Sequence, residues 1–346
     1  MITADITAII PTYRRPKLLR RAVTSVLNQA AVSLSVRVFD NASGDETGAV
    51  MADLAKGESR LSYHCHRQNI GAAANFEYGL RSVDTPFFSI FSDDDYLLPG
   101  FYQQALEDLA KHPNAMFWAG MTLNVDEQGN IWDARINQWT REGLYLPADG
   151  MMAMMNGLAP SWNGILFRRE ILDFMGFPDK EALGPSDLDF VLRAAASYPF
   201  FLRKHPSAVF TLNAASFSAT EPLSSFWPGW KKMFRNIECS ESLSDFAKQA
   251  ALVALHKDAK RMLFRRGANV LSFGRYDFAR GAAGALQMDY GQLWRPMLLR
   301  AIATACEQNP WFQRIYTRYY RMVENRLVND RRELQKRFGH LVRDVR

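Results

Sequence analysis

Residues 86–101, PFFSIFSDDDYLLPGF, decide how this chain is read. The apolar run 87–91 has the composition of a buried strand, and three aspartates in a row, Asp93, Asp94 and Asp95, stand where it stops. Alternation along an extended chain sends Asp93 and Asp95 to one side and Asp94 to the other, leaving a pair that can share a cation, or divide a ribose and a cation between them. Carboxylates with few other ligands, beside a substrate that brings its own phosphates, suit Mg2+ or Mn2+. Such an ion would neutralise a diphosphate and stabilise it as a leaving group. The plainer use of the cluster is an acidic turn capping a helix that begins at Pro99.

Outward from this stretch, the first third of the chain alternates regularly. The runs 6–10, 36–39, 61–64 and 87–91 read as strands, and 17–28, 47–55, 72–83 and 99–111 as helices. Strand and helix in turn at this spacing predict an α/β fold with a parallel sheet covered on both faces, whose ligands bind beyond the carboxyl ends of the strands. Each strand leads into a polar turn: Pro11, Thr12, Tyr13, Arg14 and Arg15 after the first; Asp40, Asn41 and Ser43 after the second; Arg67, Asn69 and Gly71 after the third; the aspartates after the fourth. Any one of these could be turn chemistry alone. Four strands in one sheet would bring them all to one rim. From residue 115 the pattern changes to antiparallel strands with a turn at Gly129 and Asn130, and beyond Pro222 it is helical.

Composition narrows the class. The chain has 346 residues, room for about two domains, with 48% hydrophobic and 23% charged residues. The opening MITADITAII has neither a basic n-region nor a long apolar stretch, and 151–167 is broken by Asn156, Gly157, Pro160 and Asn163, so a cytosolic location is expected. Cys65, Cys239 and Cys306 are widely spaced and form no CxxC, which predicts reduced thiols that pack as small buried hydrophobes. From Arg300 onward there are eleven Lys or Arg against five acids, an excess equal to the whole net charge of +6.

IIPTYRRPKLLRRAVTSVLNQ, VFDNASGDET, NIGAAANFEYGL and SDDDYLLPGF, in this order, resemble the nucleotide-sugar half of family 2 glycosyltransferases. The resemblance implies a GT-A fold: a Rossmann-like mixed sheet flanked by helices, here spanning 1–221, with 1–112 binding the nucleotide sugar, 113–221 on the acceptor side, and a mostly helical region at 222–346. It implies inverting transfer of a sugar from a nucleoside diphosphate to an acceptor hydroxyl, with Mn2+ or Mg2+ as cofactor. The acceptor would be a lipid-linked or polysaccharide intermediate of bacterial surface glycan synthesis. Residue by residue, Pro11, Thr12 and Arg15 match the loop that holds the base and reaches the phosphates. Asp40 matches the acid that recognises the base, and Asn69, Gly71 and Asn75 the donor-side loop and helix. Asp93 matches the ribose-contacting acid and Asp95 the metal ligand of the DxD motif, and Asp94 between them is expected on the donor side. Arg14 stands where many members have Asn.

An acceptor hydroxyl must lose its proton as it attacks, so a second acid is needed. GPSDLDFVLRAAASY offers Asp187 and Asp189. Ser186 and Asp189 fit the S-x-x-D form of a capping box, which gives Asp189 a structural task and leaves Asp187 as the expected base, with Asp189 the runner-up; the resemblance likewise places Asp187 on the catalytic base of the family's acidic pair. Trp162 and Asn163 resemble the acceptor-side segment; the indole can stack on a sugar ring or pack in the core. His64 and His66 would share a face of a regular strand, without a third ligand, and are expected to be structural or exposed rather than metal ligands.

In the tail, Trp311, Ile315, Tyr319, Val323 and Leu327 recur every fourth residue, and Leu334, Phe338, Leu341 and Val345 resume a stripe among arginines. Such a basic amphipathic helix can lie on an anionic membrane at the inner face, pack on its own catalytic domain, or join a second subunit in a homo-oligomer. No nucleic-acid-binding module accompanies the charge. Two other functions fit the pattern in part. A dinucleotide-dependent oxidoreductase would need GxGxxG where PTYRRP stands. A catalytically silent sugar-nucleotide binder or membrane-surface scaffold would keep the fold without the chemistry.

Overall fold

Four parallel strands carry the first third of the protein in a computed structural model that describes residues 5–213, 221–325 and 328–343. They are β1 (Ile6–Thr12), β2 (Leu34–Asp40), β3 (Leu61–Cys65) and β4 (Phe87–Ile90), alternating with helices α1 (Pro16–Leu27), α2 (Thr47–Leu54) and α3 (Ala72–Arg81). Next along the chain are β5 (Tyr96–Leu97), α4 (Phe101–Lys111), β6 (Phe117–Asp126), β7 (Ile131–Asp133), β8 (Gly143–Tyr145) and α5 (Asp149–Ala153). β9 (Ile165–Arg168), α6 (Glu170–Met175), α7 (Ser186–Ser197) and β10 (Phe200–Leu212) complete the sheet region. The remaining helices are α8 (Leu223–Glu238), α9 (Asp245–Leu271), α10 (Tyr276–Met288), α11 (Trp294–Gln308), α12 (Pro310–Asn325) and α13 (Val328–Arg343).

The sheet runs β3-β2-β1-β4-β9-β6-β10-β5, with β7 on β6 and β8 on β10. β9 is antiparallel to both its neighbours, which makes the sheet mixed. β1 is buried along its whole length, with Ile6, Ala8 and Ile10 on one face and Ile9 on the other. Period-two burial on both faces is what a central strand under two helical layers requires. The cluster on the Ile9 face continues from Phe117 and Phe200 into the C-terminal helices through Trp230, Leu255, Ala282 and Phe338.

Register makes the rim. Thr12 pairs with Asp40, and Asp40 with Cys65, while β1 and β4 pair Ile6 with Phe87 and Ile9 with Ile90. The same offset carried past the strand ends sets Thr12 beside Asp93. β1 therefore runs two residues beyond the expected stop at Ile10.

Three expectations are corrected. Pro99 does not open α4: Gly100, at φ 83, is its N-cap, and the helix starts at Phe101. The tight return from β5 needs a left-handed residue there, which glycine supplies. Cys65 and Cys239 are exposed and only Cys306 is buried, all three as free thiols. The capping box at Ser186 is not formed: Pro185 is the N-cap of α7, with no side-chain cap.

Candidate active site

α1 sets the acidic turn in position. Its apolar face (Leu19, Ala22, Val23, Val26) is buried, and beside it lies a polar row at four-residue spacing: Arg21, Ser25 and Gln29. Arg21 Nη2 donates to the Asp94 carbonyl (2.6 Å) and Thr211 Oγ1 (3.0 Å), Ser25 Oγ accepts from Leu97 N (3.0 Å), and Gln29 Nε2 donates to the Leu98 carbonyl (2.9 Å). The backbone of 94–98 is thus clamped to α1 and the turn that follows it.

All three aspartates are buried, but they do not alternate. Asp95 N donates to the Ser92 carbonyl (3.1 Å), closing a turn, so the extended-chain geometry that would pair Asp93 with Asp95 does not arise. Asp93 and Asp94 instead share Arg15, whose Nη1 lies 3.1 Å from Asp93 Oδ1 and 2.8 Å from Asp94 Oδ2. Asp93 Oδ2 also accepts from Thr12 Oγ1 (2.7 Å) and Tyr13 N (3.3 Å). Asp95 turns the other way, its Oδ1 accepting from Thr211 N (3.0 Å) and its Oδ2 from Asn163 Nδ2 (3.1 Å). Burial pushes the Asp93 carboxyl up to about 6 against the pull of Thr12 and Arg15. Burial, reinforced by the charge of Asp94, raises Asp95 well above the usual carboxylate range.

The second and third strand ends knit a loop. Asp40 accepts from Ser43 N (2.9 Å), Ser43 Oγ (2.6 Å) and Tyr63 Oη (2.6 Å). Asn41 and Asn69 are joined (3.0 Å), Asn69 also accepts from Gly71 N (2.9 Å), and Gly71 begins α3 at φ 87. Asn75 is buried, donating to the Phe39 carbonyl (2.8 Å) and meeting His66 Nε2 (2.9 Å). His64 and His66 pack with Tyr78, as structural histidines do.

Arg14 is left-handed, at φ 55. The position at which the family resemblance leads one to expect Asn is therefore a backbone position that Asn tolerates and long side chains resist. Arg14 holds it by donating N to Ser43 Oγ (2.8 Å) and Nε to the Ser43 carbonyl (3.1 Å). Arg14→Asn is expected to leave thermal stability nearly unchanged, whereas Arg14→Val should cost about 1–2 kcal/mol, read as a lower urea midpoint.

On the other side of the aspartates, Trp162 and Asn163 precede β9. The indole Nε1 donates to the Asp187 carbonyl (3.1 Å), and its ring meets Phe167 and Phe190 edge-on. Asn163 is buried between Thr122 Oγ1 (3.0 Å) and Asp95. This adjacent pair links the first turn of α7 to the acidic turn. Asp187 stands at the surface, yet protein crowds its carboxylate enough that poor hydration raises it, opposed by the Leu188 N–H (2.7 Å) and the charge of Arg135. Asp189 is fully buried, with Oδ2 on Arg193 (2.8 Å) and Oδ1 on Asn236 of α8 (2.8 Å). Its task is structural, though by this pairing and not by a cap.

Gly164 guards the arrangement: a Cβ there would lie 2.6 Å from Thr122 Oγ1 and 2.9 Å from the Gly120 carbonyl. Gly164→Ala should cost about 1–3 kcal/mol and loosen Asn163 from Asp95, measurable as a lower melting temperature together with weaker donor binding.

The structure thus brings Thr12, Arg15, Asp93 and Asp94 into one cluster, with Pro11 just before it in β1, and joins Asp95, Asn163, Trp162 and Asp187 to it through hydrogen bonds. Asp40, Asn69, Gly71 and Asn75 form the adjoining loop. Sequence reasoning missed Arg21 and Thr211. The four-residue spacing of Arg21, Ser25 and Gln29 was a readable signal; nothing in the sequence pointed to the Thr211 amide.

Fold and rim together define an α/β domain of the GT-A type. Residues 7–175, just under half of the chain, match the model of glycosyl transferase family 2, the family this chain resembles. A GalNAc(5)-diNAcBac-PP-undecaprenol beta-1,3-glucosyltransferase of Campylobacter jejuni is 33% identical over 129 residues, 36% of this chain and 40% of that protein's length. Among solved structures, TarS of S. aureus in complex with UDP-GlcNAc superposes with a TM-score of 0.63 at 14% identity, covering 92% of each chain. The mannosyltransferase PcManGT from Pyrobaculum calidifontis, in complex with GDP-Man and Mn2+, gives 0.51 at 16% identity, covering 94% of this chain and 87% of that one. At these identities the two structures speak for the fold.

Proposed function

We propose that this protein is an inverting glycosyltransferase that moves a sugar from a nucleoside diphosphate to a hydroxyl of a lipid-linked or polysaccharide intermediate in bacterial surface glycan synthesis. The observation that carries the reading is the Trp162–Asn163 pair, which holds the Asp187 backbone with one residue and the Asp95 carboxylate with the next. The relatives' donors, UDP-GlcNAc and GDP-Man, support the donor class.

In this reading the loop of Pro11, Thr12 and Arg15, with Asp40, Asn69, Gly71 and Asn75 behind it, cradles the nucleotide, and Asp93 and Asp94 take the ribose side. Asp187 accepts the proton of the acceptor hydroxyl as its oxygen bonds to the anomeric carbon, while the bond from that carbon to the diphosphate breaks and the nucleoside diphosphate leaves with the electron pair. Attack from the face opposite the leaving group inverts the anomeric centre. Trp162 offers a ring to the acceptor sugar.

The donor set fits Mn2+ or Mg2+. It is all carboxylate oxygen, it is buried, and its negative charge is costly enough to raise Asp93 and Asp95. Among the described residues no three His, Cys, Asp or Glu converge, so further ligands to such an ion would have to come from water and the diphosphate. Asp95 would hold it, and when bound it supplies positive charge to the leaving diphosphate.

We assign the protein to the cytoplasmic side of the membrane, where a lipid-linked acceptor would be met. A thermal-shift screen against UDP-, GDP-, dTDP- and CMP-sugars, with and without Mn2+, tests the proposal. Stabilisation by one donor class, larger with metal, is expected; no stabilisation by any donor would overturn it.

A further inference from the structure

We propose that the outward ridge of α12, with the first turns of α11, is a docking surface for an anionic lipid bilayer. The inference adds a surface to the proposed function and rests on residues outside the cleft.

α12 is clamped to the protein by one face and bare on the next. Tyr316 is buried, its hydroxyl donating to the Ala268 carbonyl (2.9 Å), and Gln313 Nε2 donates to the Leu271 carbonyl (2.8 Å). Trp311 is nonetheless 68% exposed, and Ile315, Tyr319, Met322 and Val323 are exposed with it. On α11, Trp294 is 63% exposed, beside exposed Leu293, Met297 and Leu298. Isolated exposed apolar residues are ordinary, but five on one side of α12, with Trp and Tyr among them, form a ridge that needs a cover, and the start of α11 leaves a second apolar group bare.

Charge selects the cover. Arg314, Arg318 and Arg321 keep the spacing of one helix side, next to the apolar ridge. Between residues 290 and 323 there are five arginines and one acid, Glu307, which pairs with Arg280. Apolar side chains with Trp and Tyr at their edge and arginines alongside match the layered chemistry of a bilayer surface: acyl chains, interface, phosphate. A second copy of the chain would bring like charges together across the same ridge. The rest of the tail is already committed, since α13 buries Phe338 and Val342, and Gln335 Oε1 accepts from Ile131 N (2.8 Å). Its stripe therefore packs on the sheet region as one of the three expected alternatives, while the stripe of α12 does not; Leu327 and Val345 lie outside the described residues. No helix among the described residues is long and apolar enough to cross a membrane, so the contact is a surface one.

The test is flotation of the full chain with phosphatidylglycerol-containing vesicles and with pure phosphatidylcholine vesicles. The wild type should bind the former, less so at high salt. The triple variant R314Q/R318Q/R321Q should bind about a hundredfold more weakly, at roughly fivefold per arginine. W311S/I315S should lose roughly tenfold on any vesicle. Both variants should keep the wild-type affinity for nucleotide sugar, so a failure of the ridge and a failure of the active-site reading are told apart. No wild-type binding to anionic vesicles, or variants that bind as the wild type does, would overturn the proposal. So would a wild-type dimer in analytical ultracentrifugation that W311S/I315S makes monomeric without any vesicle binding, because a second copy would then be the occupant.

Discussion

Asp187→Asn is expected to lower kcat about a thousandfold while leaving the Kd for donor unchanged, the loss that removal of a general base produces. The substitution keeps shape and most local bonds. Asn can still accept from the Leu188 N–H, and Trp162 is bonded to the backbone carbonyl of residue 187, so the indole stays in place. The pH dependence comes from the raised carboxyl. Poor hydration holds Asp187 above the ordinary carboxylate value, so as pH falls the base is protonated sooner than a free aspartate would be, and kcat should drop with an acidic limb above that value. The residual activity of the variant should lack this limb. For stability the sign is opposite to that of a salt-bridged acid. The folded value lies above the unfolded one, so the charge costs stability once pH passes the unfolded value, and Asp187→Asn should melt no lower than the wild type at neutral pH. Near-normal turnover in the variant would remove Asp187 from the reaction. Asp189 is a poor substitute because Arg193 and Asn236 occupy both its oxygens and no water reaches it.

Asp95→Asn should weaken donor binding in Mn2+ about a hundredfold, to the level the wild type shows in EDTA, as measured by isothermal titration calorimetry. Two effects combine. The charge that would hold the ion is lost, and an amide cannot satisfy two donors from opposite sides: both Thr211 N–H and Asn163 Nδ2 point at carboxylate oxygens, so the new NH2 must face one of them. An unsatisfied buried donor costs about 1–3 kcal/mol. Removing a carboxylate that burial and Asp94 already destabilise offsets part of this, so the fold should survive. A variant whose donor affinity still responds to Mn2+ as the wild type does would place the ion elsewhere.

Local pattern carried much of the fold. The strand runs before PTYRR, DNAS and SDDD were apolar enough to be central, and the regular alternation of strand and helix between them was enough to imply that their ends share a rim, as β3-β2-β1-β4 shows. The candidate groups were legible for the same reason, because residue type and position relative to a strand end are properties of the chain itself. Directions were less legible. Whether 92–95 is extended or turned depends on one backbone hydrogen bond, from Asp95 N to the Ser92 carbonyl, and no periodicity announces it. The box at Ser186 failed because Asp189 found stronger partners, one of them on α8. The stripe in the tail was visible as a stripe, but its two halves met different fates, since α13 turns its stripe onto the protein while α12 packs through Gln313 and Tyr316 and turns its stripe outward.

The sequence by itself determined the four alternating strands and helices of the first third to within a few residues, that four polar strand ends lie together, and which carboxylates stand at them, because these depend on short-range steric preference and hydrophobic periodicity. Only the tertiary structure decided that Asp95 turns toward Asn163 and Thr211 while Asp93 and Asp94 share Arg15, and that α12 leaves an apolar ridge uncovered. Side-chain direction and cover are fixed by partners tens to hundreds of residues away along the chain, and the free energy of those contacts exists only once the chain has brought them together.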